Sequence, residues 1–221
     1  MELSTHFQGQ LVSVHPACDL MFDRQVDASL RGNPDRRRHW VVDQVKQVAV
    51  VSRLLDLTGS VSFTGSLARP YFYPHPQRPD GVIEECFAEQ GRPWRAILDL
   101  YEDNGVHLCF AIHPTEDTFD GDTFEMFMAA VGGRWSAVGG HARCHNNYGA
   151  SHFIRQCVDY LGFIDAYHER IRMFPVKDAE FNPTARQGVF GGCKGWLERA
   201  GRDWSLGQGQ GKVDFRGYFR A

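Results

Sequence analysis

The chain has 221 residues, 43% of them hydrophobic and 23% charged, and 24 Lys+Arg against 27 Asp+Glu leave a net charge of −3. That length suffices for one domain with a real core, and the balance excludes both a disordered chain and a generic basic surface for nucleic acid or an anionic membrane. No run approaches the ~20 apolar residues of a membrane span, and the N-terminus lacks the basic-then-apolar pattern of a secretory signal. A cytoplasmic protein is expected, with no nucleic-acid or membrane partner. Its six cysteines form no C-x-x-C pair and read as reduced, mostly buried thiols.

Short strand-like runs alternate with helical stretches, the pattern of a parallel α/β fold. A leading strand is expected over residues 2–6. A helix follows over residues 34–57, capped by Asn33 with Pro34 at its first position, and Val41, Val45, Val48, Ser52 and Leu55 form its apolar face. Residues 60–65 alternate as a strand. Three prolines make residues 68–76 a loop. A second helix spans residues 82–103, with a bend expected at Gly91-Arg92-Pro93. The strand over residues 106–113 sets Val106, Leu108, Phe110 and Ile112 against His107, Cys109, Ala111 and His113. The bulky set should meet the helices, leaving Cys109, Ala111 and His113 facing the interior. A short helix carries Phe124, Phe127, Met128 and Val131 on one stripe. Residues 143–148 read as a weak strand, Ser151 as the cap of a helical region reaching residue 170, and residues 171–177 as the last strand. Residues 188–211 read as loop, apart from a helical turn at 196–199, and residues 213–221 could begin another helix. Five strand candidates are too few for a closed eight-fold barrel.

Polar residues gather just after the strands: His6 and Gln8, His113 with Glu116 and Asp117, Ser151 and His152, and Lys177-Asp178-Ala179-Glu180. Strand C-terminal ends hold the active site of an α/β barrel, although loop starts are polar in any protein. His141, Cys144, His145 and His152 place four potential metal ligands within twelve residues, but their spacing fits no standard zinc pattern, and surface or packing histidines are the simpler reading. Gly207, Gly209 and Gly211 lack the G-x-G-x-x-G spacing of a dinucleotide cradle and read as a loop. Tyr71, Phe72 and Tyr73 with Trp94, Trp135 and Trp196 could stack on sugar rings, though aromatics of this kind mostly belong to cores.

Four segments in order, residues 2–11, Ile112-His113-Pro114-Thr115-Glu116-Asp117, Tyr148-Gly149-Ala150-Ser151-His152-Phe153 and Phe174-Pro175-Val176-Lys177-Asp178-Ala179-Glu180-Phe181, resemble the sugar phosphate isomerase/epimerase family. Ser205-Leu206-Gly207 and Val213-Asp214-Phe215 continue the resemblance across nearly the whole chain. It implies an α/β fold, a partial (β/α)8 TIM barrel of the xylose-isomerase type with about five of eight βα units. Residues 1–221 would then be a single domain incomplete at both ends, with residues 131–141 longer than the family's loop.

The resemblance also implies a divalent cation (Mn, Mg, Co or Zn) that grips two sugar oxygens while carboxylates move a proton between adjacent carbons. At three of the family's ligand positions this chain has Ala111, Gly149 and Pro175, none with a coordinating side chain, so no metal is expected at the usual site. His6, His113, His152, Lys177, Asp178 and Glu180 are the residues expected to contact a small sugar or sugar phosphate. Two readings follow. One is an isomerase/epimerase relative, possible as a homo-oligomer; the other is a non-catalytic remnant that binds a sugar or pairs with another subunit.

Overall fold

The computed structural model describes residues 2–73, 75–132, 139–191, 193–205 and 211–219. Trp135, Gly207 and Gly209, and most of the long loop anticipated over residues 131–141, lie outside them. Two compact units emerge, residues 1–146 and residues 147–221. No helix among the described residues is long and apolar enough to cross a membrane.

The first unit is built from β1 (Leu3–Thr5), α1 (His6–Gln10), α2 (Asp19–Asp23), α3 (Pro34–Leu54), β2 (Gly59–Ser62), α4 (Val82–Asp103), β3 (His107–Phe110), α5 (Gly121–Ala130) and β4 (Cys144–Asn147). The four strands lie side by side in chain order, each parallel to the next, with Leu3 beside Ser60, Ser60 beside Leu108 and Leu108 beside Cys144. Every residue of β2 and β4 is buried, as expected for parallel strands covered on both faces. Strand, helix and parallel strand recur in the α/β, partial-barrel pattern anticipated.

Strand β3 faces as its alternation predicts. Leu108 and Phe110 join the helical core with Val41, Val45, Trp94, Ile97 and Phe127. Trp94 stands edge-on to Phe110 at 4.9 Å, and its indole N–H donates to the Thr64 carbonyl at 2.8 Å. Burying such a side chain contributes roughly 1.5–3 kcal/mol, and the satisfied N–H removes the usual cost of its polar edge. Helix α4 is continuous from Val82 to Asp103 with Pro93 inside it.

Helix α3 ends at Leu54, three residues earlier than expected, and buries Arg37, Val41, Val45, Ala49 and Ser52. Val48 is only half-buried and Leu55 is 54% exposed, so the apolar face drifts from the anticipated stripe. Arg37 is admitted to that face because Asp19 and Asp23 of α2 both pair with it.

The second unit contains α6 (Ala150–Gln156), α7 (Tyr160–Tyr167), β5 (Ile171–Met173), β6 (Asp178–Phe181), β7 (Gly201–Trp204) and α8 (Phe215–Tyr218). Its core centres on Tyr148, stacked on Phe163 at 5.5 Å and on Tyr218 at 5.4 Å. Three expectations are corrected here. The single helical region after Ser151 is two helices, because Cys157 adopts a left-handed φ of 57° that ends α6, and Asp159 then caps α7. Ser151 lies inside α6 and does not cap it. Residues 178–181 and 201–204, the latter read as loop, pair antiparallel. All six cysteines are free thiols, but only Cys109 and Cys144 are buried.

Candidate functional site

In the first unit three aromatic rings occupy three adjacent strand ends. His6 directly follows β1, Phe63 directly follows β2, and His113 lies three residues beyond β3. The His6 and Phe63 rings meet edge-on at 4.6 Å, and Phe63 meets His113 at 5.1 Å. His113 Nδ1 accepts from the Thr115 backbone N–H at 3.2 Å and contacts Thr115 Oγ1 at 2.8 Å, so a neutral His113 carries its proton on Nε2. His6 Nδ1 is held at 2.6 Å by Ser4 Oγ. Phe63 was not among the anticipated site residues, because the strand was expected to run on to residue 65 and β2 in fact ends at Ser62.

Beneath this row lie two adjacent buried carboxylates. Glu116 accepts from Gln10 Nε2 at 3.0 Å and from the Gly65 N–H at 2.8 Å, which ties together the segments that follow β1, β2 and β3. Burial pushes its carboxyl up to about 7, against the pull of those hydrogen bonds. Asp117 Oδ2 accepts the backbone N–H groups of Leu67 and Ala68 at 2.6 and 2.7 Å. Burial raises Asp117 to about 6, held back by those backbone donors and by the Arg69 guanidinium. A proton can therefore be held on either carboxyl near neutral pH, the property general acid–base work requires.

The second unit brings together His152 and Lys177. Lys177 Nζ lies 3.1 Å from His152 Nε2, and Arg155 Nη2 lies 3.4 Å from His152 Nδ1. Arg155 in turn pairs with Asp203 at 3.3 Å. Burial lowers the affinity of Lys177 for its proton, Arg155 lowers it further, and Asp203 opposes both. Arg155 and Asp203 carry no motif signal, since helix and hairpin packing alone brings them beside His152. Asp178 and Glu180 are placed differently. Asp178 Oδ1 accepts the Ala179 and Val213 N–H groups, while Glu180 is bound by Asn182 and Arg202. Both carboxylates serve the β6–β7 pair and the segment that follows it.

The cation that the resemblance implies does not fit the residues at positions 111, 149 and 175. Ala111 offers a methyl group. A side chain on Gly149 would meet His152 Cδ2 at 3.1 Å and the Pro175 ring at 3.4 Å, so a hydrocarbon ring and an imidazole edge occupy the space beside that position. A different group, Asp99 and Glu102 of α4 with His141, gathers three potential ligand atoms within 4.8 Å. There the His141 Nδ1 accepts the Arg143 N–H at 3.1 Å, which places the proton on Nε2, facing Asp99 at 3.4 Å and Glu102 at 3.7 Å. That nitrogen donates a proton and has no lone pair for a metal. The trio stands before β3 and β4, at the strand N-termini, where barrel residues serve stability. His145, another of the four spaced ligands, is likewise buried, with Nε2 3.1 Å from the Ala142 carbonyl. Both imidazoles are buried against protein groups.

A parallel α/β sheet with polar residues at the C-terminal strand ends is the arrangement of a barrel-type protein. The family described as xylose isomerase-like TIM barrel matches residues 5–221, and the chain belongs to it. Among solved structures it resembles a xylose isomerase domain protein from Planctomyces limnophilus (15% identity, 82% of this chain and 54% of that one, TM-score 0.56). An L-ribulose 3-epimerase is similar at 12% identity, over 99% of this chain and 54% of that one, with a TM-score of 0.53. A xylose isomerase-like TIM barrel protein from Mycobacterium smegmatis, crystallised with magnesium, matches at 12% identity over 90% and 58%, with a TM-score of 0.53. The chain thus spans just over half the length of these relatives. No protein of curated function matches the sequence.

Proposed function

We propose that the chain binds a small ketose or aldose, free or phosphorylated, and moves a proton next to its carbonyl without a metal at the family's usual site. The observation that supports this best is the His152–Lys177 contact at 3.1 Å, beside positions 149 and 175, where the family places ligands. A buried imidazole held against an amine suits hydroxyl and carbonyl oxygens. Incubation of the protein with ketopentoses and ketohexoses in deuterated water and excess chelator tests the reading. Deuterium should enter the carbon next to the carbonyl, and should cease to enter it in His152→Ala and Lys177→Ala. Ala111, Gly149 and Pro175 favour a second reading, a sugar-binding protein without turnover. It predicts saturable sugar binding with no exchange.

A further inference from the structure

Taken together as hydrogen bonds, the two contacts of His152 bear on the protonation of its neighbour. A guanidinium only donates, so the 3.4 Å contact with Arg155 Nη2 makes His152 Nδ1 an acceptor. A neutral imidazole that accepts at Nδ1 carries its proton on Nε2. The 3.1 Å contact between Nε2 and Lys177 Nζ is then a hydrogen bond only when Nζ accepts, that is, when the amine keeps its lone pair. An ammonium would set N–H against N–H beside the Arg155 cation. His152 and Arg155 are 4% and 6% exposed, so water does little to relieve that conflict, whereas Lys177 is half-buried and open to a ligand.

From this arrangement we propose that Lys177 is an imine-forming amine, which condenses with the carbonyl of an open-chain sugar or a comparable short aldehyde or ketone. This rests on the carbohydrate reading only for the identity of the natural carbonyl compound. In the step, the Nζ lone pair forms a bond to the carbonyl carbon as the C=O π pair moves onto oxygen, with the His152 Nε2–H hydrogen-bonded to that oxygen. A proton then passes from the new ammonium to the oxygen, leaving a neutral carbinolamine. Breakage of the C–O bond expels water, with its second proton drawn from the nitrogen, and leaves the C=N bond. One carbonyl and one amine thus give one imine and one water, with no oxidant or reductant. Once protonated, the imine withdraws electrons from the adjacent C–H as the family's cation does from an enediolate precursor. A desolvated lysine beside a second cation is the setting in which an amine becomes nucleophilic near neutral pH. The charged and titratable groups facing Lys177 are His152 and Arg155 from α6 and Asp203 from β7. The shift is downward, as burial and Arg155 require, with Asp203 opposing it.

The chain has four lysines, Lys46, Lys177, Lys194 and Lys212, which makes the test direct. The intact protein is treated with glyceraldehyde and cyanoborohydride across a pH series, and each lysine is scored by peptide mass spectrometry. Lys177 should be reductively alkylated on the order of tenfold faster than exposed Lys194 at neutral pH, with a midpoint below those of the other three. Asp203→Asn should move that midpoint lower still, an effect that packing alone would not produce, and His152→Gln should slow the labelling. Labelling of Lys177 no faster than that of Lys194, or a midpoint unmoved in Asp203→Asn, overturns the proposal. Because glyceraldehyde is a generic probe, trapping without deuterium exchange into ketoses sinks the sugar reading alone. Exchange that survives Lys177→Arg with no trapping sinks the imine alone.

Discussion

A carboxyl that prefers its proton in the folded state leaves a pH signature on stability. Glu116 is raised from an ordinary 4.5 to about 7 by burial. The folded chain therefore binds that proton more tightly than the unfolded chain, and the stabilisation is complete below about pH 4.5. It declines as the pH rises and is lost through about 7, amounting to about 3 kcal/mol at about 1.4 kcal/mol for each tenfold change in proton affinity. Glu116→Gln should flatten this decline, because a flipped Gln10 amide can accept from the new side chain while Gly65 still donates to its oxygen. Urea titrations at about pH 5 and about pH 8 check it; equal losses in wild type and variant would place the effect elsewhere. Asp117→Ala is a different case, since it strands the part-buried Leu67 and the buried Ala68 donors. A cost of roughly 2–4 kcal/mol is expected from thermal melts, well above that of an exposed Asp→Ala change.

At the scale of the element, helix α4 depends on one missing side chain. A methyl group on Gly91 would lie 2.6 Å from the Ala130 carbonyl oxygen at the end of α5. Gly91→Ala should therefore cost roughly 1–3 kcal/mol by denaturant titration, although alanine favours helices, because main chain cannot yield as a side chain can. The limits of α4 are legible in its apolar rhythm, and so is the facing of β3, since strict alternation over Val106–Ile112 leaves one side for the helices. Helix α3 is less legible: Arg37 reads as a solvated charge until Asp19 and Asp23, distant in sequence, are seen to neutralise it. The α6–α7 break turns on a left-handed Cys157, a conformation nothing in its residue type announces. The β6–β7 pair escapes notice because its partners lie some twenty residues apart, with a glycine-rich stretch between them. At the candidate site the pattern repeats: His152 and Lys177 stand in recognisable segments, whereas Arg155 and Asp203, which set their protonation, depend on the packing of α6 against β7.

For the molecule as a whole, likeness to a protein crystallised with magnesium and the lack of coordinating side chains at positions 111, 149 and 175 make opposite predictions, and linkage separates them. A cation held only by the folded state stabilises it by about 2.7 kcal/mol at a hundred times its dissociation constant, a shift of several degrees for a chain of this size. With a methyl at position 111, no side chain at 149 and a pyrrolidine at 175, Mn, Mg, Co and Zn should each leave the melting temperature unchanged at millimolar concentration. The Asp99–Glu102–His141 trio offers the competing outcome, because strong cation binding there would have to turn the imidazole proton from Nε2 to Nδ1 and break the bond from the Arg143 N–H. Glu102→Ala distinguishes the two: a metal-induced shift that disappears in this variant would put a cation at the strand N-termini, remote from His113 and its strand-end row. A shift that persists would require a ligand set other than these residues and would reopen the family's own chemistry. An unchanged melt in both proteins, together with exchange in the presence of chelator, would leave the amine of Lys177 as the electron sink.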